Sequence, residues 1–166
     1  GYVAGAVVAA VCLIVSAYPM AKQQRHSDLL LTRTNLFVTE SVETMRDTTE
    51  VGASIATIWA GVPAYYSHRI MLDLLGKNDT YIANSAPHGE FFPGHNKWDY
   101  DYSIGKLQPD VIFQTFDRGL EKNLHQRIVD WGYKKLCPIA GTFGSRGYYY
   151  RINSKQIKWD SLQECL

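Results

Sequence analysis

The chain has 166 residues, 46% of them hydrophobic and 20% charged, with a formal net charge of +1. That length fits one domain whose core needs no staples. Seventeen basic against sixteen acidic side chains leave no electrostatic footprint for nucleic acid, and three cysteines exclude a disulfide framework. The charge is unevenly placed: Gly1 to Ala21 carries none, and the later residues carry all of it.

The first segment, GYVAGAVVAAVCLIVSAYPMA, is long enough to cross a bilayer, since about twenty helical residues rise about 30 Å. Tyr2 and Tyr18 stand near its ends, where aromatic rings favour the interface. Pro19 falls at the end, and Lys22 and Arg25 come next as headgroup anchors. A buried core helix and a cleaved signal peptide compete with this reading. The uncharged length and the missing basic n-region favour a span. Gly1, Gly5 and Ala9 form a small-residue stripe suited to close packing on other membrane helices, with Gly1 and Gly5 at GxxxG spacing. Lys22, Arg25 and Arg33 favour a cytoplasmic side for the rest of the chain, but the other flank is needed to apply that rule. A first residue that is not Met implies processing, trimming or a longer product.

Residues 22–34 read as a juxtamembrane connector, and Asn35 to Thr48 as an amphipathic helix with Leu36, Val38, Val42 and Met45 on one face. Residues 22–50 thus form a connecting unit, and 51–166 an α/β domain. Ala53 to Ala60 is a buried strand by its β-branched, apolar run. Tyr65 to Leu75 is a short helix or a helix-to-strand passage. Asp79 caps a helical turn. Pro87 to Asn96 is a loop, Asp99 to Leu107 a helix capped by Asp99, and Val111 to Phe116 a second strand. Gly119 to Gly132 is an amphipathic helix with Leu120, Leu124, Ile128 and Trp131 on one face. Tyr133 to Ile139 is a third strand. Gly141, Gly144 and Gly147 make a turn, and Tyr148 to Ile152 is a late strand before a polar tail. The alternation predicts a single membrane helix and then a small three-layer α/β domain with a mostly parallel sheet.

One stretch carries a resemblance. Trp59-Ala60-Gly61, Tyr65-Tyr66, Asp73-Leu74-Leu75-Gly76, Asp79, Pro93-Gly94-His95, Lys97, Asp99 and Pro109-Asp110 occur in that order between Ile58 and Gln114. This pattern resembles the extracytoplasmic C-terminal domain of bacterial polytopic glycosyltransferases of the GT-C type, which use polyprenyl-phosphate sugars. The resemblance implies a domain on the periplasmic or outer face of a bacterial cytoplasmic membrane. In that family the catalytic carboxylates lie on loops between early membrane helices. This chain shows one span and no such loop, so the resemblance carries over no catalytic residue.

The chemical constellations are weighed against plainer roles. His88, Glu90, His95, Asp99 and Asp101 lie close in sequence but match no metal-ligand spacing, and loop hydrogen bonding and capping are preferred. Tyr65, Tyr66, Arg69, Asp73, His95, Lys97, Trp98 and Tyr100 are candidate glycan contacts, since sugar sites combine aromatic faces with polar groups. Their plain reading is packing, with Arg69 and Asp73 paired at helical spacing. Asp73, Asp79, Asp99 and Asp101 do not make a glycosidase pair by sequence. The GTFGSRG stretch departs from GxGxxG. Cys137 and Cys165 are able to pair in an oxidising compartment, which their spacing does not decide. No catalytic residue, metal or cofactor is assigned. The expected function is a non-catalytic accessory or structural subunit. Its partners are membrane lipid and the helices of a larger complex, with its domain covering the periplasmic face. The alternative is a GT-C transferase domain that assists binding of glycan or polyprenyl-linked sugar.

Overall fold

A computed structural model describes residues 1–116, 119–139 and 147–165, without the side chains of 27 and 29–31. Gly141 and Gly144 of the expected turn lie outside the described residues. The chain divides into two compact units, Gly1–Val38 and Thr39–Leu166.

The first unit is helical. Helix α1 runs Tyr2–Thr48, so it continues through Pro19 and through the stretch read as a connector. Proline costs the helix one donor but leaves the rest of the ladder. Its Tyr2–His26 segment, 25 residues with mean hydropathy 2.1, is long and apolar enough to cross a membrane, and none of it is buried within the chain. At 1.5 Å per residue it spans roughly 38 Å, more than a hydrocarbon core needs.

The second unit opens with the last turns of α1. Val42 and Met45 are buried, as helical spacing requires, whereas Leu36 earlier on the helix is exposed. The carboxyl end of α1 is closed by two cations. Arg69 donates through Nε to the Thr49 hydroxyl (3.0 Å) and through Nη2 to the carbonyls of Thr49 (2.9 Å) and Arg46 (3.4 Å). Lys158 donates through Nζ to the Arg46 carbonyl at 3.0 Å, and its amide donates to the Thr48 carbonyl at 2.9 Å. Positive charge at this end answers both the unpaired carbonyls and the helix dipole.

The remaining elements are β1 (Ser54–Thr57), α2 (Val62–Ser67), β2 (Ile70–Asp73), α3 (Thr80–Ala83), a π-helix (Asp101–Lys106), β3 (Val111–Ile112), α4 (Leu124–Asp130), β4 (Tyr133–Pro138), β5 (Tyr148–Arg151), a 3₁₀ turn (Trp159–Ser161) and β6 (Leu162–Gln163). The six strands form one sheet in the order β2-β1-β3-β5-β4-β6. β1 pairs in parallel with β2 and β3, while β3–β5, β4–β5 and β4–β6 are antiparallel. The expected mostly parallel sheet is therefore corrected to a mixed one. β4 and β5 are consecutive and pair as neighbours, which imposes antiparallel order on that half.

Two local expectations also change. The strand expected over Val111 to Phe116 pairs only at Val111 and Ile112; the Phe113 amide still donates to the Ala56 carbonyl (2.9 Å), whereas the Phe116 amide donates to the Tyr100 hydroxyl (2.7 Å). The tail is no loose end. Thr49 bridges Ile157, β6 pairs with β4, and Cys165 forms a disulfide with Cys137. The core gathers Leu74, Trp98, Tyr100, Ile104, Ile112, Leu124, Ile128 and Tyr133.

Candidate functional site

Asp73 ends β2 and is buried. Its carboxylate accepts the amides of Leu75 (2.9 Å) and Asn78 (2.5 Å), holding the turn after the strand. Gly76 within that turn has φ +73°, and a Cβ there would stand 2.8 Å from the Ala83 nitrogen. Asp79 then caps α3, its carboxylate accepting the Ile82 amide at 3.0 Å. The Asp73–Asp79 block is thus one continuous device that seats α3 beside the end of β2.

Asp110 is a buried hub. Its carboxylate accepts the Ser54 amide (2.9 Å), the Ser54 hydroxyl (2.8 Å), the Ser154 hydroxyl (2.7 Å) and an Arg151 guanidinium nitrogen (2.5 Å). Burial pushes this carboxyl upward, but the four donors together hold it below the ordinary carboxylate range. It joins β1, the entry to β3, the end of β5 and the turn beyond it.

The residues expected to touch a glycan are dispersed. Tyr65 and Tyr66 are exposed on α2, with ring centroids 5.0 Å apart and edge-on. Arg69 serves the end of α1, and its expected pairing with Asp73 does not form because residues 70–73 are extended rather than helical. His95 bonds the Pro93 carbonyl through Nδ1 (2.8 Å), and Lys97 donates to the Ala83 carbonyl (2.5 Å). Trp98 and Tyr100 are both 1% exposed and belong to the core. Gly5 and Ala9 lie on the exposed first turns of α1, and Gly1 stands just before the helix.

Trp98 and Tyr100 do reach the floor of one cleft, of about 470 Å³, whose walls include Ser85, His88, Asp101, Glu121 and Arg127. His88 stacks on Trp98 (4.5 Å, 14°) and its Nε2 bonds the Trp98 carbonyl at 2.8 Å. The Trp98 indole donates to Glu121 (2.8 Å), and Arg127 joins Glu121 (2.6 Å) and Asp101 (2.8 Å). Burial alone would lower the Arg127 pKa, but its two carboxylate partners outweigh that and raise it. Within the cleft Glu121 is committed to Trp98 and Arg127, and Asp101 to Arg127. The arrangement suits holding a polar group at its rim better than moving a proton. Glu121 and Arg127 escape sequence reading because they sit six residues apart. Asn123 between them has φ +55°, which breaks the helical spacing expected from Gly119. Among the described residues, no group of three or more His, Cys, Asp or Glu gathers as a metal site.

Fold and site together define a protein with one candidate membrane-spanning helix and a mixed α/β domain carrying a disulfide. Residues 19–157 match a family described as a domain of unknown function, DUF8728. The match covers most of the chain, which therefore belongs to that family. No curated protein and no solved structure matches this chain.

Proposed function

We propose that this chain is a non-catalytic accessory subunit of a membrane complex, with its α/β domain on the extracytoplasmic face of a bacterial cytoplasmic membrane. The observation that carries this reading is the apolar Tyr2–His26 helix, none of which is buried within its own chain. Such a surface must be covered by lipid or by other helices, and its small residues Gly5 and Ala9, with Gly1 just before it, permit close approach of a second helix. The Cys137–Cys165 disulfide supports the extracytoplasmic side, because disulfides persist in oxidising compartments. The role of Asp73, Asp79 and Asp110 in holding loops and strands supports a domain kept for its shape and surface.

A second reading is that the domain assists glycan or polyprenyl-linked sugar binding in a GT-C transferase. It is favoured by the ordered run of resembling residues between Ile58 and Gln114.

The test is purification of the full chain from its own membrane in mild detergent, with native mass spectrometry as the readout. The accessory reading expects a stoichiometric membrane partner whose recovery falls when Gly5 is changed to Leu. Recovery as a monomer alone contradicts it.

A further inference from the structure

Away from the Trp98 cleft, the domain has a larger cavity of about 660 Å³, lined among others by Gln108, Trp131, Asn153, Lys155 and Gln156. Its volume is in the range of small-ligand sites. Three features of the backbone build it. The π-helix Asp101–Lys106 leads into Gln108, which has φ +47°. Gly132 after α4 has φ +90°, and Asn153 after β5 has φ +65°. Left-handed conformation is uncommon for residues with a side chain, and π-helical turns concentrate at functional sites. Both non-glycine positions here carry a carboxamide.

The side chains share a chemistry. Trp131 is packed edgewise on the π-helix, where a Cβ on Gly105 would come 3.1 Å from its ring. Arg127 lies over the indole at 5.1 Å. Gln108, Asn153 and Gln156 line the cavity and their carboxamides make no side-chain hydrogen bond with other described residues; that of Gln156 lies beside Gly52, where a Cβ would stand 3.1 Å from its Oε1. Arg151 also lines the cavity, but its charge is answered by Asp110 at 2.5 Å. Lys155 is exposed and makes no ion pair among the described residues. One uncompensated ammonium is too little positive charge for a phosphate cradle, whose ligand carries more than one negative charge. An indole with three planar amides suits a ligand with an apolar ring face and a rim of paired donors and acceptors.

We propose that this cavity is a saccharide-binding site, with Trp131 as the aromatic contact and Gln108, Asn153 and Gln156 reading hydroxyl groups. The assignment goes beyond the accessory role and rests on the proposed extracytoplasmic placement for its ligand class. Two of the amide-bearing positions offer unusually clean variants. Gln108→Gly and Asn153→Gly remove the carboxamide while tolerating the left-handed backbone.

The test is saturation-transfer NMR on the full chain in nanodiscs, with the uncharged sugars maltotriose, tri-N-acetylchitotriose and cellotriose as probes. At least one is expected to bind with millimolar affinity. Asn153→Gly and Gln108→Gly are each expected to weaken it about tenfold, the loss of roughly 1.4 kcal/mol, and Trp131→Ala to abolish it. Phe91→Ser, distant in the exposed loop, should leave binding unchanged. No transfer to any of the three sugars, or equal transfer in wild type and both glycine variants, overturns the proposal. The assay is indifferent to membrane side and to partners, so its failure is separate from failure of the accessory reading.

Discussion

The Ser54 hydroxyl and the Asp110 carboxylate meet at 2.8 Å, and the same hydroxyl accepts the Asp110 amide at 3.0 Å. This reciprocal pair fastens the start of β1 to the entry of β3, and Ser154 and Arg151 extend it to β5. Replacing Asp110 by Asn keeps the volume but loses the charge that four donors address. We expect a loss of about 2–3 kcal/mol, the range for weakening a buried charged network. The pH dependence has a definite sign. The folded carboxyl is held below its unfolded value, so its stabilisation is present above the ordinary carboxylate range. It disappears as pH falls through the lower folded value. Thermal melts of the detergent-solubilised chain should show the gap between wild type and Asp110→Asn closing as pH falls through that interval. A gap that is constant with pH contradicts this role.

Arg69 is the lock on the end of α1. Methionine at this position retains an apolar stem but no donor, leaving the carbonyls of Arg46 and Thr49 without their guanidinium. The expected cost is about 1–3 kcal/mol. Hydrogen exchange should accelerate in the last turn of α1 and leave the β4–β5 pair unchanged. Arg69→Lys should recover part of the protection, because it restores charge but not the fork of donors.

The disulfide depends on a glycine. A Cβ at Gly147 would stand 2.6 Å from the Cys165 sulfur and 2.9 Å from Lys135 Cε. Gly147→Ala should therefore raise the fraction of chains with Cys137 and Cys165 reduced. Maleimide counting under denaturing conditions reads this directly: wild type exposes Cys12 alone, and the reduced form all three thiols. Removing the bridge by Cys137→Ala with Cys165→Ala should cost about 3.5 kcal/mol, given the 28-residue separation it closes.

Much of the fold is legible in short-range chemistry. Asp79 before Thr80 announces the cap of α3, and Gly132 after α4 announces its stop. Tyr133–Pro138 and Tyr148–Arg151 match their expected strands closely: each opens on tyrosine directly after a glycine, and the second is an aromatic run. The features that escape local reading are set by distant partners. The pairing of β5 with β3 determines the mixed sheet, yet nothing local in YYYR names its neighbour. The tail looks polar because Ile157 and Cys165 are isolated among polar residues, and each is held by a segment far away in sequence. Arg69 illustrates the same limit at the candidate site. Helical spacing suggests Asp73 as its partner, whereas the strand at 70–73 turns the two apart in role. The cavity beside Trp131 is invisible in the sequence because its defining feature is backbone conformation at Gln108 and Asn153, which the residue types alone do not announce.

The arrangement proposed is a membrane helix joined to a domain on the oxidising side. Topology mapping tests it most directly. A cysteine placed at exposed Lys122, in a Cys12→Ser background, gives one reactive thiol outside the disulfide. With the domain outside, a membrane-impermeant maleimide labels this thiol in intact spheroplasts, and Cys137 and Cys165 stay joined until a reductant is added. Labelling that appears only after permeabilisation, with both native cysteines found as free thiols, would contradict it.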